Sequence, residues 1–192
     1  MNKRCGWCSD DPLYIKYHDE EWGVPLHDEH RLFEMLTLEG AQAGLSWITV
    51  LRKRENYRLA FDQFDPQRVA AYTEDKMLAL LSNPGLIRNR AKIKSAINNA
   101  KCVLSLQQEF GSLDRFLWSY VDGKPIQNAW PDRGGVPART ELSDKLGKDL
   151  KKRGFGFVGS TICYAFMQAV GMVNDHETGC PQHKSVRKLG KR

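Results

Sequence analysis

The sequence predicts an all-α protein. Apolar residues recur at helical spacing through most of its 192 residues, runs of alternating β-branched residues are almost absent, and capping residues stand at the ends of the apolar segments. Hydrophobic residues make up 41% of the chain and charged residues 27%, which is ordinary for a globular protein. We therefore expect a single helical domain over residues 1–183, followed by a flexible basic tail over residues 184–192.

The first helices are predicted on either side of a glutamate. A helix that begins near Glu29 has Asp28 as its cap, and Glu39 directly follows its apolar stretch, which ends at Leu38. Gly40 and Gly44 then loosen the backbone before a second helical run over residues 45–59. A further short helix starts at Asp65-Pro66, because proline is favoured in the first turn of a helix.

The middle of the chain predicts a helix, a hairpin and a second helix. Residues 75–82 and 88–106 have helical spacing, and Asn83-Pro84-Gly85 separates them. Free backbone N–H groups at the start of the second helix can bind a DNA phosphate, and Gly85 lets the phosphate approach. The basic side chains beside this turn are Arg88, Arg90 and Lys92. Because such helix pairs are also common packing units, this pattern leaves both interpretations open.

Basic residues are concentrated in a few segments. The net charge is +6, but five bases lie in the tail, which leaves 24 bases against 23 acids in the rest of the chain. Residues 88–101 carry five bases and no acid, and residues 145–153 carry five bases and one acid. These segments are either solvated helix faces or local sites for a polyanion.

The last third of the chain predicts a loop over residues 121–140 and helices over 141–152 and 160–171. Residues 155–174 carry no charge, but glycines and polar residues dilute the segment, which favours a core helix over a membrane span. The N-terminus lacks the apolar stretch of a signal peptide, so we expect a cytoplasmic protein. The odd number of cysteines, five, favours thiols or metal ligands over disulfides.

Aromatic residues and one carboxylate form the first candidate site. The aromatic rings of Tyr14, Tyr17, Trp22 and Trp47 could sandwich a flipped base. A cationic alkylated base is attracted to such rings by roughly 0.5 to 2 kcal/mol each. Glu39 could accept a hydrogen bond from the exocyclic amine of adenine. The alternative is a salt-bridged surface glutamate among core tryptophans.

Cysteines and histidines at the two ends of the chain form a candidate metal site. The possible ligands are Cys5, Cys8, His18, His176, Cys180 and His183. Four such ligands would form a closed, structural zinc site that joins the termini. Spacing alone favours Cys5-x2-Cys8 with His176-x3-Cys180, although unrelated residues at these positions are an alternative.

Several long motifs resemble those of the DNA-3-methyladenine glycosylase I family, bacterial enzymes of base excision repair. The motifs include Cys5-Gly6-Trp7, Tyr17-His18-Asp19-Glu20-Glu21-Trp22-Gly23, Leu38-Glu39-Gly40, Gln42-Ala43-Gly44-Leu45-Ser46-Trp47 and Gly171-Met172-Val173-Asn174-Asp175-His176. Together the matching motifs extend over nearly the whole chain. The resemblance implies a helix-hairpin-helix glycosylase fold and hydrolytic removal of 3-methyladenine from double-stranded DNA.

The resemblance also implies roles for individual residues. Glu39 reads the base, Tyr17 and Trp47 form the main walls of the pocket, and Tyr14 and Trp22 contribute less. The implied ligands of one structural zinc ion are Cys5, His18, His176 and Cys180. Because the family does not require cysteine at position 8, this set replaces the one that spacing favours. We expect a monomer without an obligate protein partner.

The reaction needs little acid catalysis, because a 3-alkylated adenine is already cationic and leaves as a neutral base. Neither Glu109 nor Asp114 is placed as the aspartate with which related glycosylases stabilise the sugar cation. No lysine is placed as a Schiff-base nucleophile, so we expect hydrolysis without strand cleavage. Leu45 could fill the gap in the DNA or belong to the core. A non-enzymatic DNA binder is an alternative, and an alkyltransferase that uses Cys163 is disfavoured.

Overall fold

The computed structural model describes residues 3–190, and this part of the chain is mostly helical. Its eleven α-helices are α1 (Pro12–Glu20), α2 (Glu29–Gln42), α3 (Trp47–Leu51), α4 (Arg54–Ala60), α5 (Pro66–Ala70), α6 (Glu74–Ser82), α7 (Arg90–Phe110), α8 (Leu113–Trp118), α9 (Glu141–Lys152), α10 (Ser160–Ala169) and α11 (Pro181–Leu189). Two short parallel strands, β1 (Ile126–Gln127) and β2 (Val173–Asn174), pair Ile126 with Val173 and Gln127 with Asn174. The predicted all-α class is confirmed, with this small strand pair as an addition.

Helix α2 lies at the centre of the fold and packs against α3, α7, α8 and α10. The Asp28 side chain caps it by accepting a hydrogen bond from the backbone N–H of Arg31 at 2.9 Å. The predicted loosening of the backbone at Gly40 is wrong, because α2 continues through Gly40 to Gln42. A Cβ at Gly40 would lie only 3.1 Å from the Cβ of Phe157, so close packing explains this glycine. Glu39 is therefore held within a helix.

The predicted helical run over residues 45–59 is divided into α3 and α4. Two helices, α6 and α7, lie at the positions predicted for the helix pair and are joined by a connection over residues 83–89. Asn89 caps α7, and Leu86, which belongs to the connection, is buried. A Cβ at Gly85 would lie 2.9 Å from Cγ of Asn56, so packing within the protein requires glycine at this position.

The C-terminal segment is helical rather than irregular. Residues 184–189 belong to α11, where Val186 is buried. The predicted tail is therefore helical over these residues, and an apolar side chain fixes the helix to the domain; residues 191 and 192 of that tail lie outside the described part. Within residues 3–190, no helix is long and apolar enough to cross a membrane.

Candidate functional site

A pocket of about 330 Å³ opens between α1, α2, α3, α10 and the loop before α9. It brings together all five residues of the first candidate site. The side chains that line it include Trp7, Tyr14, Tyr17, Trp22, Glu39, Gln42, Trp47, Arg133, Val136, Tyr164, Gln168, Asp175 and Glu177. Residues from both ends of the chain thus contribute to one cavity.

Glu39 is a buried carboxyl group that lines this pocket. Its side chain lies near the end of α2 and is only 5% exposed. Among residues 3–190, no hydrogen-bond or ion-pair partner engages its carboxyl group. Burial raises the pKa of Glu39 to about 8, so the group carries its proton in the free protein at neutral pH. This environment excludes the salt-bridged surface glutamate.

Aromatic rings form the walls around Glu39. The rings of Tyr17 and Trp47 are both buried, with centroids 5.2 Å apart. Trp7 packs against Trp22 at 4.8 Å and Tyr14 at 5.3 Å. The buried indole N–H groups of Trp7 and Trp47 have no hydrogen-bond partner within the described chain. Two residues that line the pocket therefore carry a buried donor without a partner in the described chain, beside the apolar surface of their rings.

Sequence reasoning missed several residues of this site. Trp7 stands within the Cys5-Gly6-Trp7 motif, which could have signalled its role. Asp175 likewise stands within the Gly171-Met172-Val173-Asn174-Asp175-His176 motif, but neither motif indicates which of its residues lines a pocket. Glu109 and Asp114 are not among the lining residues; Glu109 pairs with Arg153, as expected for a structural carboxylate.

Four buried side chains from the two ends of the chain form a cluster: Cys5, His18, His176 and Cys180. Their potential ligand atoms all lie within 4.8 Å of one another. His176 Nδ1 is 3.4 Å from Cys5 Sγ and 3.9 Å from Cys180 Sγ, and His18 Nε2 is 3.7 Å from Cys180 Sγ. These three separations are close to the edge of a tetrahedron with metal bonds of about 2.0 to 2.3 Å.

The surroundings of this cluster orient its side chains. His18 Nδ1 lies 2.7 Å from Asp19 Oδ1, and His176 Nε2 lies 2.9 Å from the carbonyl oxygen of Trp22. Each ring therefore directs its other nitrogen toward the cluster. Hydrogen bonds with Cys5, His176 and His18 lower the pKa of Cys180, which favours the thiolate form that binds metals.

The two other candidate ligands have different partners. Cys8 is only partly buried, and its Sγ lies 3.5 Å from the carbonyl oxygen of Ser9. His183 Nε2 lies 2.8 Å from the carbonyl oxygen of Asn128. The ligand set that spacing alone favours is therefore wrong, since Cys8 stands outside the cluster and His18 completes it.

The predicted DNA-binding residues occupy unequal positions. Arg88 and Arg90 are exposed beside the hairpin, and Arg90 pairs with exposed Glu74 at 2.7 Å. Leu45 is 41% exposed in the turn after α2, which argues against a core role.

Lys92 has a role that the sequence did not predict. Its Nζ donates to the carbonyl oxygens of Ala41 at 2.8 Å and Ala43 at 2.6 Å. The structure therefore uses this ammonium to hold the end of α2, instead of leaving it free for a phosphate.

A helical domain in which aromatic rings and a buried carboxyl group without a protein partner surround a base-sized cavity suits a DNA glycosylase. The methyladenine glycosylase family model matches residues 7–183, and the chain belongs to this family.

Two relatives agree with this assignment. DNA-3-methyladenine glycosylase 1 of Escherichia coli (strain K12) is 55% identical over 178 residues, which cover 93% of this chain and 95% of the relative. DNA-3-methyladenine glycosylase of Haemophilus influenzae is 52% identical over 181 residues, which cover 94% of this chain and 98% of that relative.

The fold also matches solved structures. A crystal structure of 3-methyladenine DNA glycosylase I has a TM-score of 0.91 at 57% identity and covers 93% of this chain and 98% of that chain. A variant of 3-methyladenine DNA glycosylase I in complex with 3-methyladenine has the same TM-score at 38% identity. The match covers 95% of this chain and 98% of that chain.

Proposed function

We propose that this chain excises 3-methyladenine from double-stranded DNA by hydrolysing its N-glycosidic bond in the pocket around Glu39. The observation that carries this function is a buried carboxyl group without a protein partner inside an aromatic pocket. Family membership supports the same activity.

The pocket distinguishes a cationic base from a neutral one through Glu39. Because burial keeps Glu39 protonated while the pocket is empty, the entry of a cation favours loss of the Glu39 proton and creates an ion pair in a site of low dielectric. The faces of Tyr17 and Trp47 attract the same positive charge. Neutral adenine receives neither contribution, so binding itself supplies selectivity.

The chemical step requires only a positioned base and a water molecule. The pocket holds the base outside the DNA double helix while the N-glycosidic bond breaks. The electron pair of this bond moves to the base and neutralises the cationic ring. Water adds to the sugar carbon and releases a proton to solvent. Exposed Leu45 fills the place of the flipped nucleotide, and Arg88 and Arg90 bind the backbone beside the hairpin. The protein needs no second subunit for these roles.

We also propose that the cluster of Cys5, His18, His176 and Cys180 binds one zinc ion. Two thiol and two imidazole ligands suit zinc, and four of them close the coordination shell. The ion is structural and holds the first and last segments of the chain together. It takes no part in the hydrolysis.

Incubation of the protein with methylated duplex DNA tests the proposed activity. We expect release of free 3-methyladenine and formation of abasic sites, with the strand intact until alkali is added. A non-enzymatic binder would retain the lesion and release no base. Methyl transfer to protein would instead indicate an alkyltransferase; Cys163 is unsuited to this, because burial raises its pKa to about 12.

Metal analysis of the purified protein tests the zinc proposal. We expect one zinc ion per chain in the wild type and in Cys8→Ser, because Cys8 lies outside the cluster. His18→Ala should lower the zinc content strongly, since it removes one of four ligands. Normal zinc in His18→Ala together with loss in Cys8→Ser would contradict the assigned ligand set.

Glu39 should make stability depend on pH. The pKa of Glu39 rises from 4.5 to about 8 on folding, so the folded protein keeps a proton that the unfolded chain releases. Stability should therefore fall as pH rises through this window, by at most about 5 kcal/mol at about 1.4 kcal/mol per tenfold change in proton affinity.

Glu39→Gln removes this titration. Urea unfolding at about pH 5.5 and about pH 8 should show the variant gaining stability over the wild type as pH rises. A stability difference that is independent of pH would show that Glu39 has an ordinary pKa.

A further inference from the structure

A second buried carboxylate, that of Asp175, lines the same pocket but is used in another way. Asp175 is 2% exposed and accepts hydrogen bonds from four side chains. We propose that Asp175 is a positioning residue that fixes one wall of the base pocket. This inference rests on the proposed function, because the pocket must bind the base for its wall to matter.

The four hydrogen bonds join two separate parts of the chain. Asp175 Oδ1 accepts from Asn128 Nδ2 at 2.6 Å and Trp130 Nε1 at 2.8 Å, both in the loop after β1. Asp175 Oδ2 accepts from the Tyr164 hydroxyl at 2.6 Å and Gln168 Nε2 at 2.8 Å, both on α10. One carboxylate thus ties a loop to a helix.

These bonds leave Asp175 no capacity to read a base. A carboxylate offers about four lone-pair sites, and four donors occupy them. Glu39 differs in this respect, because no group of the described chain engages its carboxyl. The two carboxyl groups therefore have separate roles: Glu39 binds the base, and Asp175 holds the surface against which the base lies.

The loop depends on Asp175 because it has little regular structure of its own. Between β1 and α9 the described chain forms only a single 3₁₀ turn over Arg133–Gly135. This loop nevertheless supplies four lining residues of the pocket, which are Arg133, Val136, Pro137 and Ala138. Trp130 packs beneath the turn, since a Cβ at Gly135 would lie 3.2 Å from its ring.

The backbone that carries Asp175 is itself held on both sides. Asn174 Nδ2 donates to Gln127 Oε1 at 2.9 Å and to the carbonyl oxygen of His183 at 3.0 Å. On the other side, His176 belongs to the Cys/His cluster. Asp175 therefore stands on a restrained segment that links this cluster to the pocket wall, as a positioning group requires.

The affinity of the folded protein for free 3-methyladenine tests this role. A fluorescence titration of Asp175→Asn should show about a tenfold or greater loss of affinity, because misplaced walls weaken a fitted site. The amide nitrogen of asparagine cannot accept hydrogen bonds, so two donors lose their partner. Tyr164→Phe keeps the ring and removes one donor, and should lose about threefold by the same principle. If Asp175→Asn does not fold, Tyr164→Phe still tests the positioning role.

Glu29→Gln is the matched control. Glu29 accepts three hydrogen bonds from Gln107, Leu113 and Asp114, and it does not line the pocket. It should lower the melting temperature without changing base affinity. Unchanged affinity in Asp175→Asn or Tyr164→Phe, or an equal loss in Glu29→Gln, would overturn the positioning role. Failure of the wild type to bind or release the base would instead refute the proposed function.

Discussion

Glu39→Gln should release 3-methyladenine from methylated DNA about 10²- to 10³-fold more slowly than the wild type. Glutamine has nearly the same shape but cannot become an anion, so it loses the ion pair with the cationic base. Single-turnover release of the free base from methylated duplex measures this effect without interference from product release.

The variant should fold normally, because glutamine suits a buried and uncharged position. Thermal unfolding confirms the fold, and Glu29→Gln provides a carboxylate-to-amide control outside the pocket. Glu39→Ala should be at least as slow as Glu39→Gln. Release at the wild-type rate by folded Glu39→Gln would show that the anion has no role in binding or in chemistry.

Removal of Cys180, a ligand of the proposed zinc site, should cause the largest loss of stability. The proposed zinc ion, held by Cys5 and Cys180, would close a loop that contains almost the entire chain. Closing a loop of about 100 residues contributes about 4.7 kcal/mol in the chain-entropy model, and a longer loop contributes slightly more. At about 2–4 °C per kcal/mol, Cys180→Ser should melt about 10 °C or more below the wild type.

Calorimetry of the wild type, Cys180→Ser and Cys8→Ser measures this effect, and a chelator applied to the wild type should reproduce it. Cys8→Ser is the matched control, because its thiol lies outside the cluster. Base release should fall together with stability, since Trp7 and Glu177 neighbour cluster ligands and line the pocket. Equal melting temperatures for the wild type, Cys180→Ser and Cys8→Ser would contradict a structural role of the metal.

Much of the local structure could be predicted because the signals lie within a few residues. Asp28 marks a helix start because its side chain accepts a hydrogen bond from the first turn, and Pro66 marks one because its backbone suits the first helical position. Gly40 shows where such reasoning fails. Glycine is typical of a helix end, but Gly40 lies inside α2. Glycine is needed there because Phe157, which is distant in the sequence, packs against this position.

The same division applies to the pocket and the cluster. Residue chemistry by itself determined that aromatic rings and Glu39 suit a cationic base and that cysteines and histidines suit zinc. Only the tertiary structure decided that Glu39 is buried without a partner, and that Lys92 is engaged with backbone carbonyls. Spacing favoured Cys8, whereas folding placed His18 beside Cys180, 162 residues away. Burial, charge and metal geometry depend on such distant contacts, which the local pattern of a sequence does not contain.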